Sequence, residues 1–346
     1  MRVLFIGGTG LISSACSDLA VQHGMELSIL TRGKSENLDI PAAAHILQAD
    51  IHGEPQKLAD VLNDSFFDVV VDWIAYTPED IERDISLFNG KARQFVFISS
   101  ASAYQKPPMH YLITEQTPLE NPYWQYSRDK IACENRLMQA YAELGFPVTI
   151  IRPSLTYGLS QLPLAVNSWK HPYTIINRIR QGKPVIVPGD GTSLWVCTWN
   201  ADFAVGLVGL FGKADAIGEA FHITSDEVLT WNQIYTQVFA ALGIKPNIIH
   251  IPSDLLAAWD DHFSDSLIGD KINSVVFDNS KIKHFVPEFD CKVTWAEGIK
   301  CTIAWFDADP RRQVIDGDAD QKWDKIIKRF KRAYPPALQI KRIWKS

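Results

Sequence analysis

No cysteine or histidine cluster at metal-ligand spacing occurs anywhere in the chain. The five cysteines, Cys16, Cys133, Cys197, Cys291 and Cys301, are odd in number and scattered. That distribution argues against a zinc module or a disulfide framework, gives no metal site, and suits a reducing cytoplasm. Long apolar runs are also missing. Stretches such as 69–71 and 203–211 end well short of the roughly 20 residues that cross a bilayer, so no membrane segment is expected. The first strand begins at Arg2, and no secretion leader is expected ahead of it. Positive charge is not in excess: the net charge is −6, with 46% apolar and 21% charged residues. Neither disorder nor bulk attraction to nucleic acid follows from such a balance, and a small molecule is the expected partner. Internal repeats and low-complexity tracts are absent from the sequence.

What is present is alternation. Short β-branched runs at 3–6, 27–30, 45–48, 67–72, 95–99 and 148–151 are separated by helical patterns at 11–23, 55–62, 78–88 and 126–144. This order predicts an α/β fold, a Rossmann-type doubly wound parallel sheet with a smaller C-terminal substrate-binding region. We divide the chain into a dinucleotide-binding domain at 1–165 and a mixed α/β region at 166–346. Runs at 185–187 and 220–223 read as late strands interleaved with the main sheet. The last 26 residues are basic, with Lys322, Lys325, Lys328, Arg329, Lys331, Arg332, Lys341, Arg342 and Lys345 against Asp324. Trp323, Ile326, Ile327 and Phe330 share one helical face there, so the segment reads as an amphipathic helix docked by its apolar side.

Ligands of doubly wound sheets bind beyond the carboxyl ends of the strands. Directly after the first run comes Gly7-Gly8-Thr9-Gly10-Leu11-Ile12-Ser13, opening a helix. A glycine turn in that position lets backbone N–H groups approach a pyrophosphate, and the helix N-terminus adds a favourable dipole. Gly7, Thr9, Gly10, Leu11 and Ile12 are therefore candidate cofactor contacts, with Ser13 standing where a third glycine is usual. At the end of the second run, Thr31 occupies the place of the acidic residue that holds the ribose in NAD-selective folds, and Arg32 and Lys34 follow. Cations without a carboxylate favour a 2′-phosphate, hence NADP, with NAD as the alternative. Asp50, after the third run, is placed to accept from the adenine amino group or to cap a helix.

Tyr126 and Lys130 lie four apart on a predicted helix and share a face; of the ten tyrosines only Tyr126 has this partner. A neighbouring ammonium is expected to lower the phenol pKa and ease proton transfer near neutrality. Ser99 and Ser100 end the preceding strand, where the nicotinamide should lie, and Ser100 is the candidate anchor for a carbonyl or alkoxide oxygen.

Together these residues resemble the extended short-chain dehydrogenase/reductase superfamily, particularly the NAD-dependent epimerase/dehydratase group, from Met1 to about Phe306. Besides the glycine loop, the similarity includes Asp50-Ile51, Ala75, the 99–104 segment ending at Tyr104, the Tyr126 to Lys130 motif, Arg152-Pro153 and Tyr157-Gly158. It implies cofactor contacts at Ile51, Ala75, Ser99, Tyr126, Lys130 and Pro153, catalysis by Ser100, Tyr126 and Lys130, and a homodimer through the helix bearing the Tyr/Lys pair. Departures bear on the substrate. Sugar-nucleotide 4,6-dehydratases carry Asp-Glu after the catalytic hydroxyl, where this chain has Ala101 and Ser102. Nucleotide-sugar epimerases place Asn and Arg where Leu155 and Trp195 stand. Ser102, Leu155 and Trp195 thus become candidate substrate contacts, and the stretch 169–173 with Trp195, Trp199 and Trp231 a candidate wall of an apolar or sugar-stacking pocket. The expected function is an NADP-dependent oxidoreductase or epimerase acting on a carbohydrate or related alcohol. The alternative is an RNA-binding or regulatory protein on the same fold, motivated by the basic C-terminal segment.

Overall fold

The computed structural model describes residues 1–33, 40–63, 65–260 and 263–334; Lys34, Lys341, Arg342 and Lys345 lie outside the described residues. Seven strands form a parallel sheet: β1 (Arg2–Ile6), β2 (Glu26–Thr31), β3 (His45–Gln48), β4 (Phe67–Asp72), β5 (Ala92–Ile98), β6 (Val148–Pro153) and β7 (Ala220–Ile223). Their order is β7-β6-β5-β4-β1-β2-β3. Both faces of such a sheet are covered, so its central strands carry continuous apolar runs, Val3 to Ile6, Val69 to Val71 and Phe95 to Ile98, instead of alternating with polar residues. In β1, Val3 and Phe5 face one core with Val69, Val71 and Val96, while Leu4 and Ile6 face the other with Val70, Phe95 and Phe97.

Four helices carry the crossovers of the first half: α1 (Leu11–Gln22), α2 (Pro55–Leu62), α3 (Pro78–Phe88) and α4 (Gln125–Leu144). Local chemistry sets their ends. Before α3, Thr77 Oγ1 accepts the Asp80 N–H at 3.4 Å and Asp80 Oδ2 accepts the Thr77 N–H at 3.1 Å, a reciprocal cap completed by Pro78 in the first turn. After α4, Gly145 takes φ +68°, the left-handed conformation that ends helices most cheaply at glycine.

The remaining chain builds a third core from small paired elements. The run at 220–223 joins the main sheet as expected, beside β6. The run at 185–187 does not: Val185–Pro188 pairs in parallel with Ile248–Ile251 in a separate two-stranded sheet. An apolar run identifies a buried strand but says nothing about its neighbour. The helix Gly317–Ala333 docks by Trp323, Ile326 and Ile327, all buried. Its acidic N-terminal half is held by Arg178, which donates to Asp320 at 2.6 Å and Asp324 at 2.7 Å. Among the described residues no helix is long and apolar enough to cross a membrane.

Candidate active site

The glycine loop fits a dinucleotide. Gly7 takes φ +81°, and a Cβ there would lie 2.4 Å from Ile74 Cγ2, so a side chain is excluded both by conformation and by space. Gly10 precedes α1, and a Cβ on it would meet only Ser13 Oγ at 3.5 Å, which leaves its approach open. Ser13 Oγ takes the Gly10 N–H at 2.7 Å and donates to the Gly10 carbonyl at 3.1 Å. The serine in the third-glycine position thus fastens the turn. Leu11 and Ile12 begin α1, and amides at a helix start have no partner within the helix, so they are available to an anion. At the end of β2, Arg32 is exposed, and Thr31 Oγ1 accepts the Gly33 N–H at 3.4 Å. Asp50 caps a turn, not a helix: its Oδ1 accepts the His52 N–H at 3.1 Å, whereas α2 is preceded by Glu54.

At the other end of the strand edge, β5 delivers Ser100 and α4 delivers Tyr126 and Lys130. Ser100 Oγ accepts the Ser102 N–H at 3.2 Å and lies 2.9 Å from Ser102 Oγ, which itself accepts from the Ser127 hydroxyl at 2.8 Å. This chain of hydroxyls fixes the turn after β5 and joins it to α4. Ser99 faces elsewhere, donating to Glu134, whose carboxylate forms a buried fork with Arg152 Nε at 3.0 Å and Nη2 at 2.6 Å. Its hydroxyl therefore holds the sheet edge together. Lys130 Nζ donates to the Ala75 carbonyl at 2.7 Å and the Ile98 carbonyl at 2.8 Å, leaving one of its three N–H groups for a ligand. Asp72 shapes the loop that presents Ala75, its Oδ1 accepting the Ile74 and Ala75 amides at 2.6 and 2.8 Å.

The electrostatics differ from expectation in one respect. Burial pushes the Tyr126 phenol up to about 12, opposed by a hydrogen bond with Ser100. The expected lowering by Lys130 is absent because the ammonium is turned to the two carbonyls, 5.9 Å from the Tyr126 ring centre, while Trp124 packs on that ring at 4.9 Å. Burial also brings the Lys130 ammonium down to about 8, against the opposing charge of Asp72.

Ser100, Ser102, Tyr126, Pro153, Leu155 and Trp195 line one cavity of about 220 Å³. Of the tryptophan wall, Trp169 and Trp195 reach it. Trp231 does not; it is buried beneath Trp195, stacked at 5.5 Å. Trp199 packs on Tyr157 at 5.1 Å and faces a different groove beside α1. Trp124, Asp270 and Lys271 also line the cavity and were not anticipated. Nor was Asn121, whose amide donates to Ser102 O at 2.8 Å and Gly269 O at 2.7 Å, tying the Ser100 turn to the segment carrying Lys271.

Residues 3–223 match the NAD dependent epimerase/dehydratase family. The chain is 26% identical over 262 residues to the chloroplast stem-loop binding protein of 41 kDa b of Arabidopsis thaliana, covering 72% of this chain and 65% of that protein. It is 26% identical over 212 residues to an uncharacterized UDP-glucose epimerase of Bacillus subtilis, covering 61% and 60%. The chain thus spans less than two thirds of the length of these two relatives. The dTDP-glucose 4,6-dehydratase of Bacillus anthracis, solved in complex with NAD, superposes with a TM-score of 0.71 at 19% identity, covering 90% of this chain and 98% of that one.

Proposed function

The chain belongs to the NAD dependent epimerase/dehydratase family, and on that footing we propose that it is a nicotinamide-dinucleotide enzyme that oxidises or reduces a hydroxyl-bearing carbon of a sugar or similar polyol. The observation that carries the reading is the meeting of Ser100, Tyr126 and Pro153 in one cavity at the same sheet edge as the open glycine turn. When bound, the dinucleotide supplies a hydride acceptor or donor. Gly7, Gly10 and the first amides of α1 would hold its phosphates, and the unused Lys130 N–H would be free to donate to its ribose. Ser100 donates to the substrate oxygen. Tyr126 Oη, protonated at neutral pH, gives its proton to that oxygen in reduction and recovers it in oxidation.

Exposed Arg32, with no carboxylate at Thr31, favours NADP over NAD. The 4,6-dehydratase route lacks its acid and base at Ala101 and Ser102, and the reading adopted is oxidoreduction or epimerisation. The substrate is sugar-like, and Leu155 and Trp195 weigh against a nucleotide sugar. Self-association through α4 belongs to the same reading. The experiment is mass spectrometry of the purified protein for bound dinucleotide, followed by turnover assays on UDP-sugars and free sugars. A retained dinucleotide that does not exchange during turnover identifies an epimerase; failure of both NAD(H) and NADP(H) to bind overturns the reading.

A second reading, RNA binding, draws on the stem-loop binding relative and on Lys325, Lys328, Lys331 and Arg332, all exposed on the last helix. Salt-dependent RNA binding that disappears on truncation before Gln321, without dinucleotide binding, would favour it.

A further inference from the structure

Lys271 is 5% exposed, yet its ammonium has no hydrogen-bond or ion-pair partner among the described residues. Its neighbour Asp270 is committed to Lys106 at 2.8 Å, and Lys106 is itself buried. Counting Lys106, Asp270 and Lys271 together, this side of the substrate cavity carries one uncompensated positive charge. Lys271 Nζ lies between two indole faces that line the cavity, 5.7 Å from the centre of Trp124 and 6.0 Å from that of Trp169. Lys271 lines the same cavity as Ser100 and Tyr126.

The local fold is built to keep it there. Lys271 ends a π-helical segment, Ser264–Lys271, a rare winding that is frequent at functional sites. A Cβ on Gly269 would lie 2.9 Å from Trp124 Cβ, so only glycine lets this segment close on the tryptophan loop. The Trp231 Nε1–H donates to the Lys271 carbonyl at 3.0 Å, and Asn121 anchors Gly269 O. An isolated ammonium in such surroundings is costly unless a counter-charge completes it, and burial accordingly lowers the pKa of Lys271.

Resting on the proposed sugar-oxidoreduction reading, we propose that Lys271 is the anion receptor of the substrate cavity, and that the substrate carries a carboxylate or phosphate held between Trp124 and Trp169. The cavity, about 220 Å³, is smaller than the roughly 300–1,000 Å³ of pockets enclosing drug-sized ligands, and suits a compact acidic sugar.

Ligand-observed NMR titrations on the full-length protein, with D-glucuronate, glucose 6-phosphate and D-glucose as probes, test the assignment. At least one anion binds about tenfold more tightly than glucose, and which one separates carboxylate from phosphate recognition. Lys271→Met brings that anion to the level of glucose, whereas Lys271→Arg retains the preference; both variants keep dinucleotide affinity, measured in the same samples. The assignment is overturned if glucose binds as well as both anions, or if the preference survives Lys271→Met. An anion preference that depends on Lys271 in a protein that binds no dinucleotide would sink the oxidoreductase reading and leave this one standing. Dinucleotide binding without anion preference would do the reverse.

Discussion

Replacing Lys130 with methionine should separate stability from function. The buried ammonium titrates at about 8 against an ordinary 10.5. At 1.36 kcal/mol per pH unit, holding it charged near pH 7 costs about 3 kcal/mol. Methionine removes that cost at similar volume but leaves the Ala75 and Ile98 carbonyls without their donor, at about 1 kcal/mol each. The two effects nearly cancel, so the variant should unfold in urea within about 1 kcal/mol of wild type near pH 7. The pH dependence supplies the sharper contrast. Between about 8 and 10.5 the unfolded chain holds the extra proton, so native stability rises with pH in that window by up to about 3 kcal/mol from this one group. Lys130→Met lacks that rise and should fall about 2 kcal/mol behind wild type near pH 10. Parallel pH profiles for the two proteins, or a loss above 3 kcal/mol near pH 7, would refute the reasoning.

Other substitutions probe the remaining parts. Gly7→Ala meets Ile74 at 2.4 Å and is strained at φ +81°; calorimetric titration should show dinucleotide binding lost, and Ile74→Ala in the same chain should restore only part of it, since the strain persists. Glu134→Gln strands the buried Arg152 guanidinium and should cost about 3–5 kcal/mol in urea unfolding, while the Glu134→Met, Arg152→Met double variant should lose much less. If Arg32 holds a 2′-phosphate, Arg32→Ala should weaken NADPH binding about tenfold and leave NADH unchanged; equal effects on both would remove the NADP preference.

The sheet and the glycine loop were legible because their signals are local: strand-length apolar runs, and a turn residue between strand and helix. The Tyr126 and Lys130 pair was legible for the same reason, since helical spacing alone puts both on one face. The substrate side was not. Asn121 meets Gly269 across 148 residues of chain, and nothing in either neighbourhood announces the contact. Lys271 stands beside Asp270 in the sequence, and adjacency does not say which charge each of them meets. Only the fold shows that Asp270 answers Lys106 and that Lys271 is left facing indoles. The Tyr126 pKa was misjudged on similar grounds, because spacing fixes the neighbour but not the direction in which Lys130 points or the burial contributed by Trp124.

The central claim is that Tyr126 moves a proton while hydride passes between a dinucleotide and a sugar carbon. It is tested most directly by following deuterium from 4-deuterated NADH or NADPH into keto-sugars by mass spectrometry, with wild type and Tyr126→Phe compared at equal dinucleotide saturation. The account predicts transfer by wild type and a loss of about 10²-fold or more in the variant at that equal saturation. Transfer by Tyr126→Phe at the wild-type rate would contradict it.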